Sequence, residues 1–387
     1  MEKAVPKTLT GFGVDELWID ESSANDRITG RIRNHLANVP TRILPEPEIE
    51  RLVSGLDLNR GKRILLLERH PGDPVKPCPA TRHPYLCCRY TIVNQAFGCP
   101  MDCSYCILQA YLNRPVLTVF TNIEDVFAAV DRRLAEEPGR LFRLGTGELS
   151  DSLALDPLTG LSRDYAAFFR GKTNAILEWK TKTDFVDNLL LETPFNAVVS
   201  WSLNPSSVTE GEEQGAAPIQ QRLAAARRCQ EHGYLVGFHF DPLVVFQGWE
   251  DEYSRLIDDL AQAIDPSRIA WISLGTFRYP PALKAVVRRR FPRSRILSGE
   301  MIRGLDGKMR YPRPVREEIY RTVLERIREK APAAFVYFCM ESPVVWSRVL
   351  GWCPENNADL DYHFALHLWK QFPGLHLERP ERRWYKD

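Results

Sequence analysis

The chain has 387 residues, with 51 Lys and Arg set against 50 Asp and Glu, and 44% hydrophobic and 26% charged residues. This composition excludes a disordered polyion and a globally basic, histone-like protein, and the length suits a main domain with a smaller companion. No apolar run approaches the roughly 18–20 residues that span a bilayer, so no membrane partner is expected. Met1 to Lys7 lack the apolar stretch of a signal peptide, which points to the cytoplasm. Nine unevenly spread cysteines favour metal binding or chemistry over a disulfide framework.

Along the chain, Glu16–Asp20 and Arg63–Glu68 read as strands in an irregular N-terminal segment, closed by the proline-rich His70–Pro79. A clearer rhythm follows. Apolar strand-like runs at Cys87–Ala96, Arg140–Leu149, Ala175–Thr181, Ala197–Leu203, Tyr234–Val245 and Arg268–Leu274 alternate with helical patterns at Ile123–Glu137, Phe185–Leu191, Ile219–His232 and Glu250–Ala263. Such alternation builds a parallel sheet with right-handed crossovers, either a partial barrel or an open doubly wound sheet. In both, ligands gather at the C-terminal ends of the strands. After residue 280 come a basic stretch, an amphipathic helix at Val315–Lys330, a strand at Ala334–Glu341 and an aromatic-rich helix at Asp359–Phe372. We divide the chain into an N-terminal α/β subdomain over 1–86, a core over 87–345 with a basic hairpin region at 284–316, and a C-terminal extension over 346–387. There is no internal repeat, and nothing in the sequence fixes the oligomeric state.

Cys99, Cys103 and Cys106 stand in Phe97-Gly-Cys-Pro-Met-Asp-Cys-Ser-Tyr-Cys, a C-x3-C-x2-C spacing at the end of the first strand of the core. Three thiolates on one tight loop suit three irons of a cubane cluster and leave the fourth open, whereas structural zinc takes four ligands. Buried core thiols, or zinc completed by Cys78, Cys87 or Cys88, are the alternatives. The spacing resembles the signature of the radical S-adenosylmethionine (radical SAM) enzymes. Gly98-Cys-Pro-Met-Asp-Cys-Ser-Tyr-Cys-Ile-Leu-Gln further resembles the cluster loop of the spore photoproduct lyase family. Val119–Phe127, Thr181–Leu190, Ser202-Leu-Asn, Gly233–Val244 and Gln247–Tyr253 resemble that family in the same order, over about residues 15–340.

The resemblance implies a partial (β/α)6 TIM-type barrel of the radical SAM type, carrying a [4Fe–4S] cluster on Cys99, Cys103 and Cys106 and binding S-adenosylmethionine. It implies that Lys182 holds the cofactor carboxylate, that Ser150 lies near its amino group, that Ser202 adds a second polar contact and that Tyr105 packs nearby. It also implies a DNA partner carrying a UV-type thymine dimer lesion, repaired through hydrogen abstraction by a 5′-deoxyadenosyl radical. The electron would come from a reductant such as flavodoxin or ferredoxin. Two departures stand out. The family's hydrogen-donating cysteine is replaced by Glu148, in Gly145-Thr-Gly-Glu-Leu-Ser-Asp, and Ile107 replaces a redox-capable tyrosine. A carboxylate is a poor hydrogen-atom donor, but Gly147-Glu148 resembles the Gly-Glu element that binds the cofactor ammonium in many radical SAM enzymes. Cys339 and Tyr337, two residues apart on one strand face, are the candidate replacement relay. His239 and Asp241 share the inward face of the fifth strand.

From Lys284 to Arg316 there are eleven Lys and Arg against two acids, with Tyr279, Phe291 and Tyr311 interspersed. Arginines with aromatics suit phosphate contacts and stacking, and Gly304–Tyr311 reads as a hairpin. Arg303, Lys308, Arg310, Tyr311 and Arg313 are therefore the candidate DNA contacts, with a merely solvated basic face as the alternative. Two further functions stay open: a radical SAM enzyme acting on another nucleic-acid or nucleotide substrate, and a non-catalytic iron–sulfur DNA-binding or sensor protein.

Overall fold

The computed structural model describes residues 13–79 and 84–386. Two sheets carry the architecture. The first has five strands in the order Thr41–Leu44, Glu16–Asp20, Ile64–Glu68, Leu117–Phe120 and Ala96–Phe97, all parallel except the last. It is built mainly from the segment before residue 86 and completed by two strands from beyond it.

The second sheet holds seven consecutive parallel strands: β1 (Thr91–Val93), β2 (Phe142–Gly145), β3 (Ala175–Thr181), β4 (Ala197–Ser202), β5 (Leu235–Leu243), β6 (Ile269–Thr276) and β7 (Phe335–Phe338). Val75–Pro77 adds an antiparallel edge beside β1. β4 and β6 are buried along their whole length, as expected of strands covered on both faces. Helices Ile123–Glu136, Ile219–His232, Trp249–Ala263 and Arg313–Lys330 supply crossovers close to the positions read from the sequence. Two expectations shorten. Phe185–Leu191 forms only a single turn at Leu189–Leu191, because Pro194 follows too closely for a helix to extend. Cys87–Ala96 keeps only β1, since Arg89 takes a positive φ and Ala96–Phe97 crosses to the other sheet.

The interior of the curled sheet is polar at its centre. Glu178 on β3 accepts hydrogen bonds from Ser200 Oγ (2.6 Å), His239 Nε2 (2.7 Å) and Trp271 Nε1 (3.0 Å), drawing four neighbouring strands onto one carboxylate. Gly237 makes this possible, because a Cβ there would lie 2.6 Å from Ser200 Oγ and 2.9 Å from Trp271 Nε1.

The open base is stoppered by the helix Asn357–Gln371. Phe364 packs 4.7 Å from the Tyr337 ring, and the Arg143 guanidinium stacks 3.6 Å above Phe364. Asp361 pairs with Arg140 at 2.8 Å, with side chains 1% and 3% exposed. Burial pushes the Asp361 carboxyl up despite Arg140 and Arg143, so the pair adds little beyond an apolar contact of the same shape. Removing one partner is different. Asp361→Ala leaves the buried Arg140 guanidinium with only the longer ion-pair contact to Glu137, at 3.3 Å, among the described residues, and should lower stability by up to about 3 kcal/mol in urea titrations. A change under about 0.5 kcal/mol would show that the extension is not part of the cooperative core.

Among the described residues, no helix is long and apolar enough to cross a membrane.

Candidate active site

A cavity of about 300 Å³ opens at the C-terminal ends of the barrel strands. The loop after β1 brings Cys99, Cys103, Tyr105 and Cys106 to its wall, and Ile107 lies beside them. Glu148 and Ser150 come from the end of β2, Lys182 from β3, Ser202 from β4, and Tyr337 and Cys339 from the end of β7. His239 and Asp241 line the same space. Residues scattered over more than 200 positions thus meet in one cavity because parallel strands end on one rim.

The cysteine loop has little regular structure of its own and is held from outside. Asp102–Cys103 pairs antiparallel with Glu213–Gln214. The Glu213 carboxylate receives Arg222 at 2.5 Å, Asn204 at 3.1 Å and the Tyr105 hydroxyl. Burial works against its charge, but Arg222 and Lys182 hold its carboxyl down at about 2. Asp102 is fixed by Lys62 at 2.8 Å and Arg290 at 2.9 Å, and Gln109 Nε2 donates to Cys103 O at 2.9 Å. Burial pushes the Cys99 thiol up to about 12, with Asp151 adding to it, and raises Cys103 well above its ordinary value. Metal binding must therefore displace protons from these sulfurs. Among the described residues, no three His, Cys, Asp or Glu side chains are gathered as ligands of a single ion.

Around the rim the charges alternate in sign. Glu178, Lys180 and Lys182 occupy alternate positions of β3 and its end, and all three line the cavity. Lys180 Nζ lies 3.6 Å from Glu148 Oε2. Burial opposes the Lys180 charge, but Glu148, Glu178 and Asp241 outweigh it and hold the ammonium above its ordinary pKa. Lys182 Nζ stands 4.0 Å from Glu213 and 5.8 Å from the Tyr105 ring, and makes no hydrogen bond among the described residues. Asp151 braces the turn beneath it, accepting from Lys182 N (2.8 Å), Thr181 Oγ1 (2.7 Å) and Ala154 N (2.9 Å). Arg278 forms a fork on Asp241, 3.0 Å to each oxygen, and its Nη2 approaches Cys339 Sγ at 3.3 Å. Burial raises the Cys339 thiol well above its ordinary value against the pull of Arg278, so it keeps its hydrogen at neutral pH.

The sequence reading missed Lys180, Arg278, Asp151 and Glu213. Lys180 was legible, because a charge between two others at period two in an apolar strand marks one shared face. Arg278, Asp151 and Glu213 take their meaning from partners distant in sequence.

The candidate DNA contacts separate. Lys308 lines the cavity, with Nζ 3.6 Å from Met340 Sδ, and Arg303 and Arg313 are exposed. Arg310 and Tyr311 turn inward. Arg310 is bound to Asp306 and to Met340 O and lies 4.1 Å over the Tyr85 ring, while the Tyr311 hydroxyl accepts from Val245 N. These two hold the hairpin to the barrel instead of presenting a face to phosphate.

The cavity suits a small zwitterion beside a thiol-bound metal group, with carboxylate and ammonium side chains at fixed places. Its polar floor titrates. Burial works against the charge of Glu178, but His239, Ser200 and Lys180 hold its carboxyl at about 2, below the ordinary 4.5. A depressed folded-state value gives stability that is present above pH 4.5 and is lost as the pH falls toward 2. Wild type should therefore exceed Glu178→Gln by about 3 kcal/mol at pH 6. The gap should close progressively in urea titrations below pH 4.5, and a constant gap would refute the assignment.

A family model described as spore photoproduct lyase matches residues 86–339. The spore photoproduct lyase of Geobacillus sp. (strain Y412MC61) is 29% identical over 206 residues, covering 52% of this chain and 60% of that protein. The spore photoproduct lyase of Bacillus subtilis (strain 168) is 27% identical over the same shares. The match thus spans 60% of the length of these curated relatives. Among solved structures, a spore photoproduct lyase complexed with dinucleoside spore photoproduct superposes with a TM-score of 0.75 at 23% identity, over 84% of this chain and 99% of that one. A variant with bound AdoMet and the same dinucleoside gives 0.75 over the same shares. The fold is the partial TIM-type barrel of those structures.

Proposed function

The chain belongs to the spore photoproduct lyase family, and on that footing we propose that it is a radical SAM enzyme that repairs a thymine dimer lesion in DNA. The observation that carries this reading is the convergence of three loop thiols, an ammonium and a carboxylate on one cavity. The residues fit the cofactors. Cys99, Cys103 and Cys106, all lining the one cavity, would each take a different iron of a [4Fe–4S] cluster. Lys182, whose ammonium makes no hydrogen bond among the described residues, would take the carboxylate of S-adenosylmethionine, and Glu148 its ammonium. Ser150 and Ser202 would add hydroxyl contacts, and Tyr105 would pack against the cofactor. Bound there and reduced by a flavodoxin- or ferredoxin-type carrier, the cluster and cofactor would supply radical chemistry for hydrogen abstraction from the lesion.

The chain's own residues would do the rest. Lys180 holds Glu148 at the rim, and Arg278 holds Asp241 and stands against the Cys339 sulfur. Cys339, still protonated, would return a hydrogen atom to the product, with Tyr337 on the same wall as its relay. The hairpin would meet the DNA through Arg303 and Lys308, with Arg313 on the exposed start of the following helix. A cytoplasmic setting suits thiols that must stay reduced. One observation favours a second reading, in which the same chemistry serves another nucleotide substrate. The Glu148–Lys180 pair stands where family members carry their hydrogen-donating cysteine.

The reduced, reconstituted protein should release thymine from DNA irradiated dry. Cofactor cleavage without lesion loss would favour the second reading. Cys103→Ala should abolish cluster uptake and 5′-deoxyadenosine formation, while Cys229→Ala, far from the cavity, should leave the cluster spectrum unchanged. Glu148→Gln should weaken S-adenosylmethionine binding by roughly ten- to a hundredfold. Cys339→Ala should still cleave the cofactor but give radical by-products in place of clean thymine, and clean thymine from that variant would exclude Cys339 as the donor.

A further inference from the structure

The basic run from Lys284 to Arg316 is continuous in sequence but not in space. Arg290, Arg310 and Arg316 are occupied inside the fold by Asp102, Asp306 and Glu341. Lys308 belongs to the cavity. Lys284, Arg288, Arg289, Arg293 and Arg295 are exposed, and none of them lines the cavity. They lie on the helix Leu283–Arg290 and the turn after it, a stretch with no acidic residue before Glu300.

What this helix is fastened to decides what it serves. Arg290 reaches Asp102, which lies between Cys99 and Cys103, at 2.9 Å, and also bonds Gln109. Ser294 Oγ donates to Glu212 Oε2 at 2.6 Å and Arg295 N donates to Glu212 Oε1 at 2.9 Å. The same Glu212 carboxylate accepts from Ser104, next to Cys103. The helix also packs against Leu108–Tyr111, which begins two residues after Cys106. The exposed cations therefore form an outer skin on the cysteine loop, one layer of side chains from it.

We propose that this face docks an acidic one-electron carrier protein of the flavodoxin or ferredoxin type, an inference that rests on the cluster-bearing function argued above. In the step it serves, one electron leaves the reduced carrier and enters the cluster. No bond forms or breaks, and no proton is required. DNA competes for the same charge, but the placement favours the carrier. A lesion must be delivered to the cavity, whose basic approach is the hairpin. An electron must be delivered to the cysteines, and it is their loop that carries this helix. A cluster of like charges with no acid interspersed speeds encounter with an oppositely charged protein and needs no base readout.

The test replaces Arg288, Arg289, Arg293 and Arg295 together by Gln in the full chain, with circular dichroism and cluster content as checks on folding. Affinity for oxidised flavodoxin is measured by calorimetry on the bare and the reconstituted protein. Cluster reduction is followed by stopped flow with flavodoxin hydroquinone and, separately, with dithionite. Affinity for a lesion-bearing duplex is measured in parallel. At low salt, flavodoxin affinity and flavodoxin-driven reduction should each fall by about tenfold or more. The difference from wild type should shrink at high salt, as screening requires. Dithionite-driven reduction, compared at high salt where its own negative charge is screened, should be unchanged, and duplex affinity should hold within about twofold. Unchanged flavodoxin affinity overturns the proposal, and so does a loss of duplex affinity as large as the loss for flavodoxin, which would assign the face to DNA. If the wild-type chain takes up no cluster, the proposed function fails, while flavodoxin binding to the bare protein still decides for or against the docking face.

Discussion

The site depends on two adjacent carboxylates, Glu212 and Glu213, gripping a loop that cannot hold itself. A ten-residue stretch containing three cysteines, a glycine and a proline has almost no backbone ladder to fix it. Glu213 supplies an anchor on the barrel side, where Arg222, Asn204 and Tyr105 converge, and Glu212 supplies one on the outer side, where Ser104, Ser294 and the backbone of Arg295 meet. Both lie in the segment between β4 and the helix Ile219–His232, so a crossover connection doubles as the brace of the metal loop. A group that binds a metal needs ligands placed before the metal arrives, and the supporting partners do that placing.

The interior of the barrel applies the same logic to a different end. Glu178 draws Ser200, His239 and Trp271 together under the cavity, so the floor is a charged network with its hydrogen bonds made. Above it the Glu148–Lys180 and Asp241–Arg278 pairs alternate around the rim. Such paired charges can reorganise around a charged ligand without leaving a stranded ion. Arg143, lower down, is treated otherwise. Its guanidinium is enclosed by the rings of Tyr90, Trp271, Tyr337 and Phe364 and donates a hydrogen bond to Cys88 O at 3.0 Å.

Much of this was legible before any coordinates. The parallel strands announced themselves as apolar runs with helices between them, and the cysteine spacing marked the rim on which chemistry would lie. Tyr337 and Cys339 were placed together by simple alternation, and the structure brings both to the cavity. Charge was harder to read. In sequence, Arg290, Arg303 and Arg310 look alike, yet one clasps the cysteine loop, one faces solvent and one is buried under Tyr85. The difference lies in Asp102 and Asp306. Asp102 is nearly two hundred positions from Arg290, and no local pattern reports a partner at that distance. The first sheet hid for the same reason, since its last two strands, Leu117–Phe120 and Ala96–Phe97, come from either side of the cysteine loop, beyond the N-terminal segment.

The stopper at the base of the barrel has a bearing on how the molecule is made. Helix Asn357–Gln371 and the Tyr385 hydroxyl, which accepts from Leu141 N at 2.9 Å, follow every barrel strand in chain order and so are made after them. Until they dock, Trp271, Tyr337 and Arg143 lack the cover that Phe364 gives them, although every strand of the barrel is already present. The chain therefore passes through an interval in which its barrel strands are made and its underside is still open, exposed to chaperones, proteases and neighbouring chains alike. A defect in this helix would therefore be felt first at the centre of the fold, as slow maturation of the core.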